Sequence, residues 1–523
     1  MKKFAPILIL CAALFGSVLA QSVNFSEQIS PIIYNNCTKC HRPGEIGPFP
    51  MTNYTEVASR AQMIKHVTGT RYMPPWMPDV TYRKFLDQRY LTDAQIKLIA
   101  DWVDVGAPQG DPHLEAPLPV FPTGSQLGKP DLVLSMRQAY KIQGNNVDEY
   151  RVFVLPSGLL NAQDIAAVEF RPGNKKIVHH ALIGIDTTGQ GAAQDQKDPL
   201  YGYQSFGGFG VSIQGQLPGY APGATPRFYP ESIGQRIPRR ADLLLQIHYA
   251  PWPLAEKDSS SINIFFAKKP IRRYVQARII LPFDLVGGAL SFVIPPGQVT
   301  PFHGVVNVTK DVSLLALAPH CHLLGKSWEV YFENAAGQRT NLIRLNDWNF
   351  NWQGAYYPER LLKIPAGAKI HAFAVYDNTT NNPRNPHHPP QHVTWGEKTT
   401  DEMYYFPLAF VDYQPGDENI DLATEVKNPA PIATMQGYAL AQNYPNPFNP
   451  TTTIKFTLPQ AGRVELVIFD VLGRKVATLV DDEILAAGQH VRNWEAQNIG
   501  SGIYFYRITA GSFQKTMKMI LVR

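Results

Sequence analysis

The spacing of apolar residues divides the chain into one helical and several β-rich regions. Ile96, Ile99 and Val103 recur at the spacing of one helix face. From about Leu127 to Tyr413, short alternating apolar runs are broken by Gly, Pro and Asn, a pattern that favours β-sandwiches. The pattern therefore predicts a small all-α domain followed by a much larger β region.

Sequence signals mark both ends of the helical segment. Thr92 followed by Gln95 matches a capping box, which predicts that a helix begins there. Gly106 and Pro108 follow the last apolar position and predict its end. The proline-rich, polar residues 111–127 have no periodicity and are predicted to form a linker after this domain.

Strand-like alternation returns near the C-terminus. Two runs with an apolar residue at every second position, followed by a DVLGR turn, predict a small Ig-like β-sandwich in residues 437–523. The acidic, unpatterned residues 415–436 before it are predicted to form a second linker. The alternating positions are Ile454, Phe456 and Leu458, then Val464, Leu466 and Ile468.

Residues 1–20 have the composition of a secretory signal peptide. Two lysines precede a short apolar run, and Val18 and Ala20 are small residues before a cleavage point. Cys11 lies inside this segment and should be removed with it. No later apolar run approaches the length of a spanning helix, so the mature protein is predicted to be exported and soluble, without a membrane span.

Length and charge narrow the classes of function. At 523 residues the chain is too long for one compact domain, and usual domain sizes predict roughly three or four. The net charge of +5 is small for this length, and the sequence has no dense Lys/Arg block. A nucleic-acid partner is therefore not expected.

The helical domain contains a motif for covalent haem attachment. Cys37 and Cys40 form C-x-x-C-H with His41, in which two thiols bond the haem vinyl groups and the histidine binds iron. A zinc site would need two more ligands nearby, and a thioredoxin-like pair would need a βαβ surround. Residues 21–110 therefore resemble a cytochrome c with haem c. Met73 or Met77 would be the sixth iron ligand, and we favour Met73 because short cytochromes c often carry such a Met-Pro loop.

Five histidines end or interrupt strand-like runs of the β region. His320 and His322 are two residues apart, so on a strand they face the same side and can converge on one metal ion. His179 and His180 are neighbours, and they can share a metal only at a bulge or a strand end. The fifth is His248. The plainer interpretation is that all five are hydrogen-bonded polar groups of a core.

The order of these motifs resembles one enzyme family. His-His, a single His, His-x-His-x-Leu-Gly and then TTDEM are spread over roughly residues 128–413. This order is similar to that of the copper type II, ascorbate-dependent monooxygenases, the family of peptidylglycine alpha-hydroxylating monooxygenase and dopamine beta-monooxygenase. The resemblance implies two jelly-roll-like β-sandwich domains, residues 128–285 and 286–414, with a solvent-filled cleft between them.

The resemblance also implies two copper ions with different tasks. The first would transfer electrons. The second would bind O2 and carry out catalysis, and its thioether ligand favours Cu(I), the state that must meet O2. The ligands implied are His179, His180 and His248 at the first copper, and His320, His322 and Met403 at the second.

In this family O2 and a reductant hydroxylate a C–H bond of a small-molecule substrate. The electron donor expected here is an ascorbate-like reductant or a redox protein. Because the haem domain lies directly upstream, we hypothesise that it feeds electrons to the coppers, the opposite direction being the alternative.

Some residues depart from the family. Animal members have several disulfides, whereas the β region has only Cys321, which we interpret as a buried core thiol. Members that bind peptide C-termini have an arginine two residues before His-x-His, where this chain has Ala318. Tyr404, Tyr405 and Phe406 stand where those members have polar residues. A peptidylglycine substrate is therefore not expected, and an apolar or aromatic one is our interpretation.

The tail, residues 437–523, with its YPNPFNP opening, resembles the C-terminal sorting domain of the bacterial type IX secretion system. The resemblance implies recognition by the secretion machinery after passage through the periplasm, and a final location at the cell surface or outside the cell. The alternative is a plain Ig-like accessory module without an addressing role.

Two rival functions fit the same residues. One is a non-catalytic extracellular copper-binding or electron-transfer haem protein, which would show no substrate-dependent O2 uptake. The other is a purely structural sandwich, which would bind no copper at all.

Overall fold

The protein is described by a computed structural model. The described residues are 23–121, 124–423, 438–443, 446–458, 462–485, 488–497, 499–511 and 513–522. The predicted signal peptide with Cys11 and most of the predicted linker 415–436 lie outside the described residues. The chain divides into two compact units, Met1–Thr424 and Glu425–Arg523.

Helices precede the β structure. They are a π-helical turn Phe25–Ile29, α1 Ser30–Asn36, α2 Tyr54–Ala58, α3 Ala61–Gly69, α4 Asp93–Asp104 and a 3-10 turn Pro112–Leu114. The predicted capping box is present, because the Thr92 hydroxyl accepts from the Gln95 backbone N–H at 3.2 Å and the Thr92 N–H donates to the Gln95 side chain at 2.9 Å. Ile99 and Trp102 of α4 are fully buried against Phe25.

Two five-stranded sheets form the first sandwich. The strands are β1 Leu132–Ser135, β2 Tyr140–Lys141, β3 Glu149–Pro156, β4 Gln163–Arg171, β5 Val178–Asp186, β6 Tyr203–Gln204, β7 Gly215–Tyr220, β8 Ile233–Ile237, β9 Asp242–Tyr249, β10 Lys257–Asp258, β11 Ser261–Phe266 and β12 Arg273–Tyr274, with helix α5 Gln190–Asp195. The sheet orders are β1-β11-β4-β8-β12 and β6-β3-β9-β5-β7, and β2 and β10 pair separately as a two-stranded sheet. Apolar side chains of both sheets fill the core between them.

Two four-stranded sheets form the second sandwich. The strands are β13 Gln276–Ile280, β14 Val293–Ile294, β15 Val299–Asn307, β16 Val312–Leu317, β17 Gly325–Glu333, β18 Arg339–Leu345, β19 Leu362–Ile364, β20 Lys369–Asp377, β21 Val393–Thr394 and β22 Phe406–Asp412, with 3-10 turns at Pro282–Asp284, Ala289–Ser291 and Asp417–Asn419. The sheet orders are β13-β22-β16-β19 and β15-β20-β17-β18, and β14 and β21 pair separately as a two-stranded sheet. Since β13 pairs with β22, the chain has entered the second sandwich by Gln276.

A buried ion pair joins the two sandwiches. The Arg273 guanidinium, on β12, donates to both carboxylate oxygens of Asp417 at 2.6 and 2.9 Å. Ser313 of β16 donates to the same carboxylate at 2.6 Å. Such a fork fixes direction as well as distance, so the sandwiches are held in one mutual orientation at this point.

The helical region is also attached to the second sandwich. Phe85, in the segment between α3 and α4, is buried in the core of that sandwich. Asp79 donates its N–H to the Arg344 carbonyl at 2.8 Å, and Leu86 donates to the Tyr357 carbonyl at 2.9 Å. Residues 79–86 therefore bind the helices to the β structure within one compact unit.

The C-terminal unit is a separate pair of sheets. Its strands are β23 Ala439–Leu440, β24 Thr451–Leu458, β25 Gly462–Phe469, β26 Lys475–Leu485, β27 Gly488–Glu495, β28 Gly502–Ala510 and β29 Phe513–Leu521, in the orders β23-β24-β27 and β26-β25-β28-β29. All six apolar positions predicted to alternate on β24 and β25 are buried, which confirms the predicted strands. Within the described residues, no helix combines the length and the apolar character needed to cross a membrane.

Candidate metal centre

Three histidines of the first sandwich converge between strands β5 and β9. The Nδ1 atom of His180 lies 3.3 Å from Nδ1 of His179 and 3.3 Å from Nδ1 of His248. The β5–β9 register shifts between Val178 and His180, and this irregularity is the bulge that two neighbouring histidines need to face one point. One ligand atom from each of the three lies within 4.8 Å of the others, a geometry suited to a metal ion.

Residues of the loop before β3 and of β3 itself orient His248. Its Nε2 lies 2.6 Å from the Asp148 carboxylate, so Nδ1 is left to face the other two histidines. The Tyr150 ring stacks on the His248 ring at 4.2 Å with an interplanar angle of 6°. A carboxylate behind a histidine fixes its tautomer and raises its strength as a metal ligand. No local sequence pattern marks Asp148 as a partner of His248.

His320 and His322 come together on the second sandwich, but not on a regular strand. β16 ends at Leu317, whereas the sequence places both histidines on its extension. His320 instead makes a single antiparallel bridge with Tyr405, through bonds of 2.8 and 3.2 Å. The two imidazole rings lie 5.2 Å apart, nearly perpendicular. They converge because the segment that carries Tyr405 holds them, rather than because of strand periodicity.

Each of these two histidines has one ring nitrogen already engaged. Nδ1 of His320 lies 2.6 Å from the Gln353 side-chain oxygen. Nδ1 of His322 lies 3.1 Å from the Asp401 carbonyl oxygen. Both Nε2 atoms are therefore the ones left to bind a metal.

Met403 lies beside this pair. The Asp401 carbonyl, two residues before Met403, lies 3.1 Å from Nδ1 of His322, so the segment that carries Met403 contacts the histidine pair. The Met403 side chain is 9% exposed, and its carbonyl accepts a hydrogen bond from Tyr376 at 2.8 Å. Its backbone position agrees with the ligand role that the family resemblance implies.

Glu402 is a residue that sequence reasoning missed. It is fully buried next to Met403, and neither of its carboxylate oxygens has a hydrogen bond of ordinary geometry in the described structure. Burial raises its pKa well above the ordinary range, although the backbone N–H groups of His322, Leu324 and Met403 favour the charged form. Burial of Glu402 therefore favours its protonated form.

An aromatic ring lies between the two groups of histidines. We call His179, His180 and His248 the three-histidine group, and His320 and His322 the second histidine group. The Phe350 ring stacks on His179 at 5.4 Å and meets His322 edge-on at 5.8 Å. In the same loop, Trp348 donates its indole N–H to the His322 carbonyl at 3.1 Å. The cleft that the family resemblance implies is thus occupied here by a side chain, and the two groups face each other across it.

The electrostatics of four of these histidines, His179, His180, His320 and His322, favour metal binding at neutral pH. Burial lowers the pKa of His179 and of His322 to about 4, and that of His320 to about 3. Burial also lowers the pKa of His180 well below its ordinary value, and charges on His248 and on the histidines of the other group add to this effect. Neutral imidazoles have their lone pairs free for a metal.

The haem motif has a geometry that fits its predicted chemistry. The thiols of Cys37 and Cys40 are free, and the His41 N–H donates to the Cys37 carbonyl at 2.9 Å, so a helical turn carries the motif past α1. Nδ1 of His41 lies 3.0 Å from the Phe49 carbonyl, which leaves Nε2 to face an iron ion. A Cβ at Gly47 would lie 2.7 Å from the Cys40 carbonyl oxygen, so only glycine fits where the chain folds back.

The structure separates the two methionines considered for the sixth iron position. The Met77 sulfur accepts the Asn349 N–H at 3.2 Å, and its side chain packs on the core of the second sandwich. Met73 lies in the turn that follows α3 and donates its N–H to the Val67 carbonyl at 2.9 Å. Met77 is thus engaged elsewhere, and Met73 stays the predicted ligand.

The haem motif contacts the first sandwich next to its histidines. Lys175, four residues before His179, pairs with Glu45 at 2.6 Å and donates to the Gly44 carbonyl at 3.1 Å. Lys39, inside the motif, donates to Thr225 at 2.5 Å. The attachment segment therefore contacts the segment that leads into β5, the strand that carries His179 and His180.

Cys321 is a buried thiol of the second sandwich. It is 1% exposed within the second sandwich core, and its sulfur accepts the Trp328 indole N–H at 3.4 Å. Burial raises its thiol pKa well above the ordinary range. These observations agree with a core thiol.

Replacing Phe350 by alanine is expected to lower the free energy of unfolding by about 1 to 3 kcal/mol, because the ring contacts both histidine groups. Denaturant unfolding of the metal-free protein measures this. Phe283, which is 80% exposed, provides the control, since its replacement removes little buried area. Equal losses in the two variants would contradict a packing role for Phe350.

Comparison with known proteins identifies the tail. Residues 442–522 match the family described as secretion system C-terminal sorting domain. The C-terminal unit carries a type IX sorting domain. It indicates export to the cell surface or secretion, with the type IX machinery as a partner. No curated protein matches the chain.

Solved structures similar to this chain are distant. A β-D-glucuronidase from Dictyoglomus thermophilum is 10% identical over 49% of this chain and 40% of its own length, with a TM-score of 0.13. The major capsid protein P2 of bacteriophage PM2 is 7% identical over 52% of this chain and 100% of its own, with a TM-score of 0.21. The VP2 subviral particle of infectious bursal disease virus is 9% identical over 56% and 75%, with a TM-score of 0.17. Scores this low support no argument about fold or function.

Proposed function

We propose that this exported protein is a copper-dependent monooxygenase that hydroxylates a C–H bond of a small apolar or aromatic substrate with O2. The observation that supports it most is the pair of histidine groups that face each other across Phe350. The convergence of His179, His180 and His248 at a bulge, and the engaged Nδ1 atoms of the other pair, are arrangements typical of metal ligands.

The residues of the two groups have separate tasks in this proposal. His179, His180 and His248 hold one copper ion, and His320, His322 and Met403 hold the other. Copper supplies one-electron chemistry and the activation of O2 when it is bound. Asp148 and Gln353 keep their histidines in the tautomer that offers a free nitrogen, and Phe350 excludes water from the space between the groups.

The haem motif has a supporting role in the proposal. Cys37 and Cys40 would attach haem c covalently, and His41 and Met73 would bind its iron. A haem held there supplies a store of single electrons. The ion pair between Lys175 and Glu45 holds the segment after the haem motif against the segment that leads to His179, which supports an exchange of electrons with the three-histidine group.

Replacing Met403 by leucine tests the catalytic part of the proposal. Leucine conserves volume but removes the soft thioether, so we expect copper to be retained while substrate-dependent O2 uptake falls at least tenfold, ~1.4 kcal/mol in the barrier. Oxygen-electrode assays with apolar and aromatic substrates measure the uptake. Met136→Leu, a buried methionine of the first sandwich, is the matched control and should keep full uptake.

The same assay distinguishes the second candidate function, a non-catalytic copper and haem electron-transfer protein. The Phe350 ring between the groups favours this candidate, because it leaves less room for a substrate. If the wild-type protein retains copper and haem but no substrate raises its O2 uptake, the second candidate replaces the first.

A further inference from the structure

A short loop of the second sandwich reaches both histidine groups. We call residues 396–402 the bridging loop. Its ends are tied by the Gly396 N–H, which donates to the Glu402 carbonyl at 3.1 Å, and by the Asp401 N–H, which donates to the Lys398 carbonyl at 2.8 Å. The Asp401 carboxylate accepts the Lys398 N–H at 3.2 Å. The loop is therefore closed on itself and has one preferred shape.

One side of the bridging loop holds the second histidine group. The Asp401 carbonyl lies 3.1 Å from Nδ1 of His322, and Met403 follows two residues later. A Cβ at Gly396 would overlap the Asp401 carboxylate, so glycine is needed for the turn that aims this carbonyl. A displacement of the loop would therefore move His322 and Met403 together.

The other side of the bridging loop lies on the first sandwich. The Glu397 carboxylate sits on Gly207, whose φ of +64° and lack of a side chain leave the room that it occupies. A Cβ at Gly207 would overlap this carboxylate. The Thr399 hydroxyl lies 3.5 Å from Asp148, the carboxylate that orients His248.

We infer that the bridging loop sets the separation of the two histidine groups, and that the seating of Glu397 on Gly207 is the contact that fixes this separation. Glu397, Gly207 and Thr399 are then positioning residues. They act through Asp148 on one group and through Asp401 on the other. The meaning of this for catalysis rests on the proposed function, whereas the contact itself does not.

Gly207→Ala tests the inference, and Gly158→Ala is its control. Both glycines lie in the first sandwich at nearly the same φ, +64° and +67°, so an alanine is equally strained at either. A Cβ at Gly158 meets no atom within 4 Å, whereas one at Gly207 meets Glu397. Any difference between the variants therefore reports the contact with the bridging loop.

Hydrogen exchange of the metal-free protein is the first measurement. We expect the amides of Asp401 and Glu402 to exchange several-fold faster in Gly207→Ala than in the wild type, and at the wild-type rate in Gly158→Ala. Adding Glu397→Ala to Gly207→Ala removes the overlap and should bring exchange back toward the wild-type rate. Equal exchange in both single variants would overturn the inference.

The distance between two bound copper(II) ions, measured by pulsed electron paramagnetic resonance, is the second measurement. It should lengthen in Gly207→Ala and stay unchanged in Gly158→Ala. An unchanged distance in both variants would overturn the inference and leave the proposed function standing. A wild-type protein that binds no copper would overturn the proposed function, and the hydrogen-exchange result would still decide the inference.

Discussion

Replacing His320 and His322 together by alanine is expected to lower the copper retained by the protein from about two ions per haem iron to about one. The two free Nε2 atoms are lost, and a lone thioether from Met403 does not hold copper against a chelator. The same variant should lose substrate-dependent O2 uptake. Elemental analysis of copper and iron, after copper loading and removal of loosely bound metal, measures the ratio.

The second sandwich offers a matched control for this experiment. His303 and His371 lie on neighbouring strands with ring nitrogens 3.0 Å apart, and both are half-buried. Their double replacement removes two histidines of the same sandwich from outside the proposed centre, so about two coppers per iron should remain. Copper lost from the control, or kept by His320→Ala/His322→Ala, would contradict the assignment of the second group. A wild-type protein that contains iron but retains no copper would contradict the assignment of both histidine groups as copper sites.

The parts of the fold that follow from local sequence were predictable. The helix Asp93–Asp104 begins after Thr92 because a capping box needs only residues three apart. The tail strands were visible for the same reason, since alternation on β24 and β25 directly reports burial of one face. The bulge at His180 was predictable as a requirement, because neighbouring side chains on a flat strand diverge.

The surroundings of the candidate centre were not predictable from the sequence. Asp148 is 100 residues from His248, and Gln353 is 33 residues from His320. Phe350 lies in a loop whose apolar residues have neither helical nor strand spacing. Only the packing of the two sandwiches brings its ring to His179. Tertiary contacts determine all of these positions, and the periodicity and motifs of one sequence do not reveal such contacts.

Acid is expected to destabilise the metal-free protein strongly. His179, His180, His320 and His322 all have folded-state pKa values below the ordinary value of 6.5, because burial disfavours their charged forms. Above a pH of about 6.5 both the folded and the unfolded states hold these groups neutral, so they add no pH dependence. Below a pH of about 6.5 the unfolded chain binds protons that the folded chain does not bind, so the free energy of unfolding falls as pH falls.

The loss extends down to the folded-state pKa values, which are about 4 for His179 and His322 and about 3 for His320. Each group contributes up to about 1.4 kcal/mol per pH unit in this window, so a total loss of several kcal/mol by a pH of about 4 is expected. Denaturant unfolding at a series of pH values measures the slope.

His320→Ala/His322→Ala provides the internal comparison for this slope, because two of the four groups no longer titrate. The variant should lose stability less steeply than the wild type between a pH of about 6.5 and about 4. His303→Ala/His371→Ala should keep more of the wild-type slope. Burial lowers the pKa of these two rings as well, but both rings are only half-buried and they contact each other. Parallel slopes in the wild type and in His320→Ala/His322→Ala would mean that the two rings are not held neutral by the fold. The centre would then not be ready to bind a metal at neutral pH, because a charged imidazole has no lone pair to offer.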